Sequence, residues 1–264
     1  MMRHAINTGK WFYALAIVTL GLLNMYYGVY PYMLVPATGV WLPEFMIGVY
    51  VVGALFIASG VGILFGGRTY LSAIVLGTLL LLILLIGHIP YEILGSGKST
   101  FLTWENVLKV VALAGGALVI AGLVKEDQNT HSPGVKARLI SVGMVLYSIA
   151  ILSFALNHFL YVHGVESYTP KWIPFRLFWA YFTGIALLGS GISVLFRIKL
   201  RVITMLLSLM ILIWIVVLHI PRILVSPPEY LNSEIASTCL ALAYCGTALT
   251  ISGLNRHGTD SFIR

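Results

Sequence analysis

Two histidines stand out by type and spacing. His88-Ile89-Pro90 and His219-Ile220-Pro221 are the same tripeptide, 131 positions apart, each closing a long apolar run. Histidine can exchange protons near neutral pH or ligate a metal. Glu92 stands four residues beyond the first histidine and Arg222 three beyond the second, so the two copies share the ring and differ in its charged neighbour. The chemistry this pattern nominates is proton exchange at a pair of histidines tuned by nearby charge. The plainer reading of either ring is a side chain satisfied by a loop carbonyl.

Other polar residues stand in apolar surroundings. Asn24 and Asn157 follow matching leucines with a shift of 133, and His158 follows the second. A buried amide serves as glue between helices or as a ligand contact. Glu105 and Lys109 have i,i+4 spacing and can interact along one helix face. With Glu92 and His88 they could line a polar pocket; the alternative is a snorkelling lysine balanced by glutamate. Asn157, His158, His163, Arg176 and His219 make the second half the more polar at one end. Cys239 and Cys245 lie six residues apart on different helix faces, a spacing of neither a disulfide nor a redox pair. Gly95-Ser-Gly-Lys-Ser-Thr100 imitates a phosphate loop, but the glycine that motif requires is Glu92 and no strand precedes it. No metal-ligand spacing emerges.

The elements that must position these groups are membrane helices. The chain is 59% hydrophobic and 9% charged, with a mean hydropathy of +0.95. Soluble domains carry about 25% charged residues. A spanning helix needs about 20 apolar residues, and eight such segments are expected: 11–30, 44–65, 71–91, 104–124, 139–161, 175–196, 202–221 and 234–254. The first resembles a signal peptide in its basic start, but it has no cleavage site and the repeat requires it.

The repeat extends well beyond the histidines. Trp41, Pro43, Gly53, Ser59, Gly60, Leu64 and Phe65 fall on Trp172, Pro174, Gly184, Ser190, Gly191, Leu195 and Phe196. Repeats of this length are the first thing to establish in a chain. Two units result, 1–124 and 139–264, joined by a polar linker, 125–138. Each has four helices, so both insert the same way up. The expected fold is all-α and integral to the membrane, two four-helix bundles side by side as parallel repeats.

Charge sets the orientation. Eleven basic residues fall on the side of the N terminus and four on the other, with Lys109 inside a helix. Both termini are therefore expected in the cytoplasm. The net charge of +7 suits anionic lipid headgroups rather than nucleic acid. Tyr26, Tyr27, Tyr30, Tyr32, Trp41, Tyr161, Tyr168 and Trp172 crowd the outer edge as an interfacial belt, against which a flat ring such as a quinone could lie.

The stretches Gly53-Ala-Leu-Phe-Ile-Ala-Ser-Gly60 and Gly184-Ile-Ala-Leu-Leu-Gly-Ser-Gly191 are each followed by a short basic turn and a long apolar helix. In this the unit resembles the DoxX-like family of small membrane proteins, over most of both halves. The resemblance implies a partner in a redox complex, with quinone as the associated cofactor, in a bacterial inner membrane. The first expectation is thus an accessory or quinone-facing redox subunit with His88 and His219 as proton carriers. Glu92, Arg222, Asn24, Asn157, His158, Glu105 and Lys109 would line its outer site. A carrier of a small apolar molecule or lipid, and a scaffold for a partner complex, are the alternatives.

Overall fold

The computed structural model describes residues 2–36, 46–95, 101–123 and 133–254. Trp41, Pro43, most of the phosphate-loop-like stretch, linker residues 125–132 and the tail from residue 255 lie outside them. Among the described residues there is no strand, and eight helices are long and apolar enough to cross a membrane.

These are α1 (Met2–Tyr27), α2 (Met46–Phe65), α3 (Thr69–Leu94), α4 (Phe101–Gly122), α5 (Pro133–Leu160), α7 (Arg176–Phe196), α8 (Leu200–Val225) and α9 (Pro228–Ser252). A short α6 (Val162–Tyr168) lies between α5 and α7. The first segment is a packed helix, with Tyr13, Ala14, Ile17 and Leu20 wholly buried. Helix α5 begins at Pro133, a residue suited to a first helical turn, so the expected linker is helical over its last six residues.

The packing differs from two bundles side by side. Helix α1 packs on α2 and α9, and α4 packs on α3, α5 and α9. The closest helix pairs therefore join the halves. Helices α1, α4, α5 and α9 form the centre, while α2 with α3 and α7 with α8 flank it. Burial separates the extremes: 72% of the apolar stretch is buried in α4 and in α9, against 28% in α3 and 22% in α8, while α1, α5 and α7 are alike at 44%.

Small residues explain the interleaving. A methyl group on Gly246 of α9 would stand 2.5 Å from the Gly9 carbonyl of α1; one on Gly115 of α4 would stand 2.7 Å from the Gly143 carbonyl of α5. In lipid, where apolar surface gains nothing by leaving the solvent, such close contact supplies the association energy. The crossings are also locked by hydrogen bonds. The Tyr13 hydroxyl donates to the Leu113 carbonyl at 2.6 Å, and the Tyr147 hydroxyl donates to the Tyr244 carbonyl at 2.9 Å.

Matched positions thus make matched contacts, and they correct one alignment. Val18 meets Gly60 as Leu152 meets Gly191, and the Asn24 Cβ meets Gly53 as the His158 Cβ meets Gly184. Helices α1 and α5 therefore correspond with a shift of 134. The shift of 133 that pairs Asn24 with Asn157 is one residue out, and one residue is about 100° of helix rotation. Asn24 shares its place with His158.

The prolines do not end their helices. Both α3 and α8 run past them to Leu94 and Val225. Each contains a π-helical turn, Ile83–His88 and Ile215–His219. The residue before each proline donates five residues back, Ile89 to the Leu84 carbonyl and Ile220 to the Ile215 carbonyl. A proline lacks the N–H and crowds the carbonyl four residues back. Widening the turn just before it accommodates both defects, and such turns recur at functional sites.

Candidate functional site

The ends of α4, α5 and α9 that lie away from the N terminus, called outer ends below for that reason alone, converge with the loop that follows α1. That loop, residues 31–36, is pinned twice. The His88 ring donates from Nε2 to the Leu34 carbonyl at 2.8 Å, and Ser237 of α9 donates to the Met33 sulfur at 3.2 Å. His88 is 1% exposed. Its π-helical turn aims it at the loop, so its shown role is to hold that loop in place. Glu92, also buried, lies within electrostatic reach of the ring.

Just before these two anchored residues stands Tyr32, about half exposed. Burial raises its phenol above the ordinary value, and the charges of Tyr168, Glu105 and Glu234 raise it further. Tyr32 thus marks where α4, the start of α9 and the end of α6 meet.

On one side of Tyr32, Glu105 bonds Lys109 at 3.0 Å along α4, and Lys109 also donates to Asn106 at 3.1 Å. Glu105 is within electrostatic reach of His158 on α5. The His158 Nδ1 donates to the Phe154 carbonyl at 2.8 Å, which fixes the ring's orientation. On the other side, the Arg222 guanidinium grips both oxygens of Glu234, with Nε to Oε2 at 2.9 Å. The same guanidinium lies 4.5 Å from the centre of the Tyr168 ring. A forked arginine stacked on an aromatic ring is a fixed arrangement. Glu234 and Arg222 both act electrostatically on His219.

His219 itself differs from its counterpart. Its Nδ1 is buried and has no hydrogen-bond partner among the described residues. In helix α8 the same π-helical turn delivers the ring to a place where no described carbonyl receives that nitrogen. Buried polar atoms are nearly always paired.

The expected site residues divide accordingly. Glu105, Lys109, His158, Arg222 and His219 border one outer-end cluster, linked through Tyr32 and Glu234. His88 and Glu92 belong to the loop anchor beneath it. Asn24 is wholly buried with both amide ends unpartnered, and Asn157 is buried with its Oδ1 unpartnered; neither has a shown contact with the cluster. Arg222 acts electrostatically on His219, as its spacing suggests, and its hydrogen bonds go to Glu234, twelve residues away. His163 lies 3.4 Å from Glu166 and is exposed.

Compared with family models, with curated proteins and with solved structures, the chain finds no match in any of the three.

Reading the sequence missed Tyr32, Tyr168 and Glu234 as members of the cluster. Read from sequence, the two tyrosines belong to an interfacial belt. Only the distance of Glu234 from Arg222, about three helical turns with a Pro227-Pro228 reversal between, could have suggested that pair. Cys239 and Cys245 are both buried and free, with Ser208 Oγ 3.2 Å from the Cys245 sulfur. Among the described residues no three His, Cys, Asp or Glu side chains converge as a metal site would require.

Proposed function

We propose that this chain is a DoxX-like, multi-pass membrane protein of a bacterial inner membrane, built from two parallel repeats with both termini cytoplasmic. It acts as the quinone-facing accessory subunit of a redox system. The observation that carries the reading is the unpartnered, buried Nδ1 of His219 beside the Arg222–Glu234 pair. A ring carbonyl or hydroxyl is the kind of group that completes such a nitrogen.

Quinone reduction takes two electrons and two protons. In this reading the partner complex of the redox system supplies the electrons. His219 exchanges a proton with the ring oxygen. Arg222, always charged, fixes Glu234, and this fixed pair sets the field at the imidazole. Glu105 and His158 offer a second titratable pair on the far side of Tyr32. Basic residues at the opposite ends of the helices, including Arg68, Lys136, Arg138, Arg197, Lys199 and Arg201, support the cytoplasmic placement of the termini.

The test is purification in mild detergent with identification of bound small molecules by mass spectrometry. Wild type is expected to carry a quinone and His219→Ala to lose it while remaining folded. His88→Ala is expected to keep it in whatever fraction stays folded. A lipid or other apolar molecule in its place would make the protein a carrier. An empty wild type would leave a scaffold for protein partners and overturn the quinone reading.

A further inference from the structure

Asn24 poses a problem separate from the outer cluster. It lies on α1 against Gly53 of α2, where a methyl group on the glycine would come 3.0 Å from the Asn24 Cβ. The side chain is 0% exposed, and both its Oδ1 and its Nδ2 are without a hydrogen-bond partner. It is the one amide among the described residues with both ends in that state. Within a membrane span neither end finds bulk water.

The same socket in the other half shows that a local remedy exists. His158 stands against Gly184 in the matching place and donates to the Phe154 carbonyl of its own helix. The corresponding carbonyl below Asn24 belongs to Leu20, and the amide does not turn to it. Asn24 instead holds out a donor and an acceptor side by side. Its neighbours add to the picture: Gly21 and Gly53 bring the two backbones together, and Met25 closes over Gly53.

We infer that Asn24 is the floor of a small polar site between α1 and α2, occupied by a molecule that both accepts from Nδ2 and donates to Oδ1. Water has that chemistry, and so does the carboxamide or protonated carboxyl end of a small ligand. The site lies one turn below the end of α1 at Tyr27. It is independent of the quinone reading: it uses no residue of the outer cluster.

The test uses the full chain in lipid bilayers, with the asparagine side-chain amides labelled with nitrogen-15 for solid-state NMR. The Asn24 signal is identified by its disappearance in Asn24→Leu. Transfer of magnetisation from water protons to Nδ2 supports the site and names water as its occupant. Transfer from the protons of a co-purified molecule supports it and names that molecule. Absence of both, with Asn24→Leu melting higher than wild type, would show an amide buried at a net cost with nothing bound. That result overturns the inference. A lower melting temperature for Asn24→Leu is the expected companion of either positive signal, with Asn24→Gln as the control for altered packing alone.

Discussion

The centre of the membrane region and its outer end treat the repeat in opposite ways. At the centre, Gly9 meets Gly246 as Gly143 meets Gly115, and Tyr13 bonds a carbonyl of α4 as Tyr147 bonds one of α9. At the outer end the matched residues part company. His88 holds the Leu34 carbonyl while the His219 Nδ1 holds nothing among the described residues; Glu105, neutralised by Lys109 within its own helix, has Ala236 as its counterpart, so the acid that meets Arg222, Glu234, stands at a different position. Close packing leaves no freedom to diverge, because each crossing is defined by the absence of a side chain. The outer end, where polar groups are chosen one at a time, has diverged into a loop anchor in one half and an open nitrogen in the other.

If the centre is matched, matched substitutions there should do equal harm. The largest effect is expected from Gly115→Leu and Gly246→Leu. Each places atoms where a backbone carbonyl or nitrogen already stands, within 2.7 Å of the added Cβ. Overpacking typically costs about 1–3 kcal/mol, and a helix crossing cannot yield by a side-chain shift, so both variants should fail to accumulate as folded protein. Size-exclusion profiles from detergent decide it. One variant folding normally while the other does not would break the equivalence.

The histidines should behave in the reverse manner. His88→Ala removes a buried ring and leaves the Leu34 carbonyl unpaired, a loss of about 2–3 kcal/mol. His219→Ala removes a ring whose buried nitrogen has no partner and should lie within about 1 kcal/mol of wild type. Thermal unfolding in detergent reads both. Equal losses would mean that the two rings are structural alike and would remove the main support for a ligand at His219.

The ion pairs sharpen the same contrast. Arg222→Gln strands the Glu234 carboxylate, which is 16% exposed. The pair is partly solvated, so the loss should be about 1–2 kcal/mol rather than the full cost of a lone buried charge. Lys109→Gln breaks a single-contact i,i+4 pair along one helix and should cost about 0.5 kcal/mol. Arg222→Gln combined with Glu234→Gln should recover much of the first loss.

How far the sequence disclosed this follows from what each signal measures. Eight spans were legible because apolar length is a local property. The His-Ile-Pro copies were legible because identity at a fixed shift needs no structure, and they did mark equivalent π-helical turns. The interleaving of α1 with α9 was not legible, since hydropathy names the helices without naming neighbours. The pairing of Asn24 with Asn157 failed for a related reason: identity of residue type competed with a one-residue difference that only contacts against Gly53 and Gly184 reveal. Arg222 with Glu234, and the place of Tyr32 beside them, depend on how two loops fold back over the helix ends. No spacing rule encodes that.

The smallest predicted effect is the most exacting test of the central symmetry. Tyr13→Phe and Tyr147→Phe each remove one hydroxyl from a wholly buried ring and leave the ring itself in place. The accepting carbonyls, Leu113 and Tyr244, lie within helices, so they keep a backbone partner and no acceptor is orphaned. The loss is then the net value of one buried hydrogen bond, about 1 kcal/mol. The two bonds join corresponding helices at corresponding positions, so the two losses should agree within a few tenths of a kcal/mol. They should also be additive in the double variant, because the bonds share no atom. A clear inequality in reversible unfolding would mean that one half carries the centre and the other leans on it. Equality would make the centre a true two-fold scaffold, on which the outer-end difference between His88 and His219 stands as the acquired feature.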